Sequence, residues 1–280
     1  MRESYTVGAP LLRHYRSTAR DLPWRRTRDP YAILVSEVML QQTQAARVVP
    51  AYRRFLARFP SLRTLAAAPL GAVLREWSGL GYNRRARDLH RIARASPDGL
   101  PRTVEALDAF PGIGAYTAGA VACFAFGARV PFADTNIRRV LGRVFLGRVA
   151  TEREARALDE RHMPTDAVAW HHALMDLGAT TCSARAPRCA ACPLAARCAA
   201  RAGATLRPAA AEHAGPDRSY AASDRRIRGA IVRALVAAPD GATVTSLERA
   251  IGDTRVARLA AALVTDGLVE RAGRRLRLPV

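Results

Sequence analysis

The stretch from Pro101 to Val140 constrains this chain more than any other. It reads as a helix from Arg102 to Phe110, a Pro111-Gly112-Ile113-Gly114 turn, a second helix from Ala115 to Gly127, and then an isolated carboxylate at Asp134. The proline ring ends the first helix, and Gly112 and Gly114 allow backbone angles that a side chain would forbid. The second helix then begins with unpaired N–H groups, the positive end of its dipole and no bulky side chain. That combination suits a phosphate oxygen. An ordinary helical hairpin would carry the same four residues, so the rest of the chain must decide.

The 280 residues, 49% hydrophobic, are enough for two domains with cores, and no apolar run reaches membrane-spanning length. The N-terminus does not read as a secretory signal, which gives a cytoplasmic expectation. A formal charge of +20 calls for a polyanionic partner. Nucleic acid is favoured over a membrane surface, because the basic residues are spread along the chain and face no bulky apolar helix side. All 44 basic residues are arginine. A Schiff base through a lysine amine is therefore closed to this chain, leaving only the N-terminal amine.

A lead-in helix around Leu11 to Arg20 is broken by Leu22-Pro23-Trp24-Arg25. Asp29-Pro30 opens an apolar helix in which Glu37 sits among Ile33, Leu34, Val38, Met39 and Leu40. A carboxylate so placed is costly unless paired or protonated, although the helix edge could also solvate it. Gln41-Gln42-Thr43-Gln44 follows, with amides suited to base edges. Ala51 to Ala95 is helical again, interrupted by a loop from Gly79 to Arg87. There Tyr82 offers a stacking plane, and Arg84, Arg85 and Arg87 offer phosphate contacts; a plain surface turn is the competing account. Asp134-Thr135-Asn136 reads as a cap on the helix from Ile137 to Val144, a role compatible with catalysis.

Cys182, Cys189, Cys192 and Cys198, spaced C-x6-C-x2-C-x5-C, follow a helix through Trp170 to Gly178. Without a secretory signal, disulfides are the weaker reading. Zinc usually takes two close-spaced pairs, and only one is present, so the compact loop favours a 4Fe-4S cubane. Arg185 and Arg188 would add positive charge to that loop. Cys123 is left over on the second hairpin helix as a small buried hydrophobe.

Ser36 to Gln44, the Gly79 to Arg87 loop, the Pro111 to Gly114 turn, Asp134-Thr135-Asn136, Met175 to Ala179 and the four cysteines, in this order, resemble the MutY family of adenine DNA glycosylases. That family belongs to the helix-hairpin-helix superfamily shared with endonuclease III. The match runs from about Tyr15 to Ala200. It implies a mainly α, two-lobed fold with a 4Fe-4S cluster held by the four cysteines. It also implies an enzyme that flips adenine out of mispaired or lesion-bearing duplex DNA and hydrolyses its N-glycosidic bond; a monomer is the default expectation. By the same resemblance, Glu37 is the general acid on the leaving base, Asp134 stabilises the cationic sugar and helps the water attack, and Asn136 is an active-site amide. Tyr116 stands where bifunctional relatives carry a nucleophilic lysine. Gln41, Gln42 and Tyr82 match residues that wedge into the duplex, Gly112 and Gly114 the phosphate-binding hairpin, and Leu22, Trp24 and Arg25 part of the adenine pocket.

Two departures stand out. Trp170-His171-His172 replaces the usual Phe-Asn-Gln, putting His172 where an amide or carboxylate contacts the adenine edge. Only residues 199–280 follow the cysteines, whereas many members carry a larger Nudix-related domain that reads 8-oxoguanine. Here 203–222 reads as an Ala, Pro and Gly rich linker. Residues 223–280 read as a winged-helix-like α+β domain: helices from Arg225 to Ala237, Val244 to Ile251 (opened by Thr245 or Ser246) and Thr254 to Thr265, then a small hairpin. Arg255 and Arg258 fall on its third helix, where such modules meet DNA. An adenine glycosylase acting opposite 8-oxoguanine or guanine is the favoured function. A thymine or uracil glycosylase acting opposite guanine and a non-catalytic iron-sulfur DNA-binding regulator are the alternatives.

Overall fold

The structure, a computed structural model, describes residues 7–202 and 223–280; the expected linker at 203–222 lies outside them. The helices are α1 Gly8–Thr18, α2 Pro30–Leu40, α3 Ala45–Arg58, α4 Leu62–Ala67, α5 Leu70–Glu76, α6 Arg84–Ala95, α7 Val104–Asp108 and α8 Ala115–Phe126. They continue as α9 Thr135–Leu146, α10 Glu152–His162, α11 Ala167–Thr180, α12 Ala199–Ala202, α13 Asp224–Ala237, α14 Val244–Ile251 and α15 Val256–Thr265. Three short strands, β1 Ala242–Thr243, β2 Glu270–Ala272 and β3 Arg275–Arg277, form an antiparallel sheet ordered β1-β3-β2. No helix among the described residues is long and apolar enough to cross a membrane. The mainly α fold is as the sequence suggested.

The chain divides into two units. The first holds 7–30, 102–108 and 114–202; the second holds 31–101, 109–113 and 223–280. In the first, α11 packs against α1 and α9, and α9 also against α10 and α12. The contact of α9 with α11 is close because Gly178 leaves no room: a Cβ there would sit 2.6 Å from the Asn136 Cβ. Helix α8 is buried from Thr117 to Phe124 and ends at Gly127 in the left-handed region, the usual glycine stop. Trp170 and Phe132 are fully buried, and each large apolar side chain so placed stabilises the unit by about 1.5–3 kcal/mol.

In the second unit α2 is buried from Tyr31 through Met39, so its apolar run is a core helix rather than an amphipathic one. In the same unit α6 packs on α4 and α5, and α3 on α5. The winged-helix-like module has its own core, including Ile227, Ile231, Leu235, Leu247, Leu259 and Leu276, and α13 lies against α5. A backbone bond from Gly71 N to Pro279 O (2.8 Å) ties its end to α5.

Three local expectations change. The Gly79 to Arg87 loop ends at Asn83, and Arg84, Arg85 and Arg87 lie on α6, where a run of helix formers outcompetes loop geometry. The cap of α14 is Thr243, whose hydroxyl accepts from Ser246 N (3.1 Å), rather than Thr245 or Ser246. The first hairpin helix is the shorter Val104–Asp108.

Candidate catalytic and DNA-binding sites

In the second unit, Glu37 lies one turn before the end of α2 and is only 5% exposed. It is not a solvated edge residue. The chain then turns through Gln41 and Gln42. The Gln41 amide donates to Gly112 O (3.3 Å), and the Thr43 hydroxyl donates to Gln41 O (3.3 Å). Gln42 and Tyr82 are the two non-glycine residues at positive φ among the described residues, at +57° and +48°. Such conformations cost about 1–3 kcal/mol each and persist where surrounding structure enforces them. Both fall on positions that the sequence marked as duplex wedges.

Between the two loops lies Arg85, which the sequence suggested only as a phosphate contact. Its guanidinium is buried; one nitrogen donates to Val38 O (2.8 Å), Met39 O (2.9 Å) and Gln41 O (2.6 Å). The other donates to Thr43 Oγ1 (3.3 Å), Leu80 O (3.4 Å) and Gly81 O (3.2 Å). It thus caps the carbonyl end of α2 and binds the 79–82 loop to the 41–43 loop. Burial pushes its pKa down to about 10, leaving it charged at neutral pH. Arg84 points outward and pairs with Asp266 (2.7 Å). Gly112 has φ +77° in the turn, and a Cβ there would lie 3.2 Å from the Asp88 side chain.

Gly114, in the first unit, is extended rather than left-handed, so the sequence-based reason for its glycine does not hold. It is instead the N-cap of α8, and a Cβ there would meet nothing within 4 Å. Its missing side chain leaves the backbone open to an approaching group. Tyr116, on the first turn of α8, packs edge-on against Phe132 with ring centroids 5.7 Å apart.

Asp134 caps α9 as expected: one carboxylate oxygen accepts from Ile137 N (2.7 Å), the other from the Asn136 amide (2.8 Å). Asn136 Oδ1 in turn accepts from Arg139 (2.7 Å), which also donates to Gly178 O (2.7 Å) and Cys182 O (2.7 Å). The candidate carboxylate is thereby wired to the start of the cysteine loop. A second network, absent from the sequence reading, supports the segment ahead of it. Asp159, fully buried, accepts from Trp170 Nε1 (2.6 Å), His171 Nε2 (2.8 Å) and Phe132 N (3.1 Å). Cys123 is buried as expected, and burial pushes its thiol up to about 12.

Leu22 and Trp24 are buried, and Arg25 is held by Asp176 through paired bonds of 2.7 and 2.8 Å. Arg20 adds a second cation at 2.5 Å. Burial alone would push the Asp176 carboxyl up, but the arginines outweigh it and hold it below the usual range. His172 stacks on Phe124 at 4.3 Å. Its burial, with Arg25 nearby, lowers its pKa to about 3, so at neutral pH the ring is uncharged and offers one donor and one acceptor.

Cys182, Cys189, Cys192 and Cys198 line one cavity together with Arg143, Arg188 and Arg201, and none is in a disulfide. No three ligands close on a single-ion point among the described residues. Arg143, 4% exposed, donates to Cys182 Sγ (3.4 Å), Ser183 O (2.7 Å) and Ala184 O (2.9 Å). Four thiols around a cavity with three cations fit a polynuclear anionic centre better than they fit an apolar core.

Residues 35–164 match the helix-hairpin-helix family described as HhH-GPD superfamily base excision DNA repair protein. Two solved structures share the fold. One is a thermostable thymine-DNA glycosylase (TM-score 0.62, 30% identity, 70% of this chain and 94% of that one); the other is a non-covalent endonuclease III–DNA complex (TM-score 0.60, 24% identity, 69% and 92%). The fold and the matched region thus define a DNA glycosylase of the helix-hairpin-helix class. Within that class, the adenine DNA glycosylase of Mycolicibacterium smegmatis is 42% identical over 93% of this chain and 92% of its own length. The chain belongs to the adenine DNA glycosylase family.

Proposed function

We propose that this enzyme removes adenine paired with 8-oxoguanine or guanine from duplex DNA by hydrolysis, leaving an intact strand with an abasic site. The observation that carries the chemistry is Glu37, a carboxylate 5% exposed on an apolar helix. A general acid must meet the leaving purine away from bulk water, and a carboxyl held among the apolar side chains of α2 is placed to do so. Asp134 takes the opposite part. Its two carboxylate oxygens accept from Ile137 N and Asn136, which fixes the carboxylate in one orientation toward a developing oxocarbenium ion. Both strained loops, Gln42 and Tyr82, then enter the duplex to hold the nucleotide out of the stack.

With no lysine in the chain and a phenol at Tyr116, no side-chain amine is available to attack the sugar, so strand cleavage through a lysine imine is excluded. His172, neutral, hydrogen-bonds the purine edge where relatives use an amide. Gly112 in the turn and the open backbone of Gly114 ahead of α8 contact phosphate. The four cysteines would hold a 4Fe-4S cluster, whose bonds to the four thiolates would cross-link the 182–198 loop. Residues 1–202 form the glycosylase domain and 223–280 a separate module joined by 203–222; the module's own apolar core supports that division. The enzyme acts as a monomer on mispaired DNA.

Glu37→Gln tests the central role. Base release should fall by at least about a hundredfold, the low end for a lost general acid, while duplex binding stays within a few fold. Near-normal turnover would remove Glu37 from the chemistry.

A further inference from the structure

Asp159, on α10, is the most deeply buried carboxylate among the described residues, and the chemistry proposed above leaves it unused. A carboxylate so placed is costly unless donors satisfy its oxygens. Three do, from two other parts of the same unit: Trp170 Nε1 and His171 Nε2 on α11, and Phe132 N in the segment between α8 and α9. Trp170 and His171 are two of the three residues at which this chain departs from the family's usual Phe-Asn-Gln, and a phenylalanine would have no N–H to give.

The Phe132 bond reaches the site. Residues 127–134 form neither helix nor strand. The segment is tied at its start by Ala128 N to Ala122 O (3.1 Å) and by the Arg129 side chain to Met163 O (2.6 Å), and at its end by the cap of α9. Between these ties Phe132 N donates to Asp159 (3.1 Å), two residues before Asp134. The Phe132 ring stacks on His171 at 3.9 Å and meets Tyr116 edge-on. Gly119 of α8 admits it, since a Cβ there would sit 2.9 Å from the Phe132 Cβ. One carboxylate therefore fixes the backbone ahead of Asp134 and, through His171, the ring that Tyr116 packs against.

Resting on the glycosylase reading above, we propose that Asp159 is a positioning residue: acting through Phe132, it holds Asp134 and Tyr116 in the geometry that the reacting sugar requires. With no exposed surface it cannot touch DNA, so its effect on rate passes entirely through the residues it holds. A group moved by about 1 Å from its reacting partner can cost about a hundredfold in rate.

The test uses the full-length holoenzyme carrying Asp159→Asn, which keeps one acceptor oxygen and turns an amide N–H₂ toward donors. Three quantities are read: single-turnover adenine release opposite 8-oxoguanine, Kd for the same duplex with uncleaved 2′-fluoro-2′-deoxyadenosine, and Kd for a duplex with a cationic pyrrolidine in place of the target sugar. Release should fall about 10- to 100-fold and pyrrolidine affinity by a similar factor, while the fluorinated duplex binds within about threefold of wild type. Trp170→Phe removes a donor from the same carboxylate but leaves the Phe132 bond, so it should melt earlier yet release adenine at a near wild-type rate. Phe132→Leu keeps the three donors and removes the ring; release and pyrrolidine affinity should fall together, and this variant decides the matter if Asp159→Asn does not fold. Wild-type release in Phe132→Leu, an unchanged pyrrolidine Kd in Asp159→Asn, or equal rate losses in Trp170→Phe and Asp159→Asn would overturn the proposal. Failure of the glycosylase reading looks different: the wild-type enzyme itself would release no adenine.

Discussion

Replacing Arg85 by methionine should loosen two loops at once while leaving most of the enzyme folded. Three charged hydrogen bonds, at 2.6, 2.8 and 2.9 Å, join its guanidinium to the end of α2. At about 1.5–3 kcal/mol each for a charged donor, they contribute a gross ~5–9 kcal/mol. Against this stands the cost of burying the charge. A pKa lowered from 12.5 to about 10, at 1.36 kcal/mol per unit, corresponds to roughly 3 kcal/mol. The net loss in Arg85→Met is therefore roughly 2–6 kcal/mol, concentrated where carbonyls lose their donor. Amide hydrogen exchange followed by mass spectrometry is the assay. Exchange across 38–43 and 79–83 should quicken about 30-fold or more, since each 1.4 kcal/mol is tenfold, and single-turnover base release should fall with it. Lysine cannot bridge both loops and should recover only part of the loss. Unaltered exchange in both segments would refute the reasoning, and so would an equal increase over the whole chain.

Other consequences are open to direct measurement. His172, neutral in the folded state with a pKa near 3 against about 6.5 unfolded, takes up a proton on unfolding below pH 6.5. Its contribution is whole above pH 6.5 and is lost as pH falls toward 3; at pH 5 the loss is about 2 kcal/mol. Denaturant melts should show His172→Asn with a flatter decline in stability between pH 6.5 and 5, and an unaltered slope would contradict the assigned burial. Gly178→Ala drives a Cβ to 2.6 Å from the Asn136 Cβ, so α9 and α11 must part. Destabilisation of about 1–3 kcal/mol with a marked drop in base release is expected, and a variant with wild-type melting and activity would show that the helices are not so tightly apposed. Anaerobically purified protein should be brown with about four irons per chain, whereas a colourless zinc-loaded sample would reject the cubane.

Much of this was legible in the chain. Glu37 stood out because a carboxylate in an apolar helix is expensive, and the structure buries it. Asp134 was recognisable as a cap because Asp followed by a helical run has few other uses, and Gly112 because a Pro-Gly turn needs positive φ. The cysteines announced one shared cavity by their spacing alone.

What escaped the sequence were partnerships between distant positions. Arg85 looked like one of 44 surface cations, because nothing local tells that its guanidinium reaches three carbonyls more than forty residues away. Asp176 lies 151 residues from Arg25, and Asp266 is 182 residues from Arg84, so neither clamp leaves a short-range pattern. Arg255 and Arg258 show the converse error. Helix position suggested DNA, but Asp224 and Asp253 already engage them. Periodicity could not have revealed either outcome, since it reports which face a residue is on and not what meets it there.

The most direct test of the account is single-turnover base release on four duplexes that differ in one pair: A opposite 8-oxoguanine, A opposite G, T opposite G and U opposite G. Each is read with and without alkali. The account predicts fast release of adenine from the first two, with strand breaks only after alkali. Preferential release of thymine or uracil, or strand breaks without alkali, would contradict it.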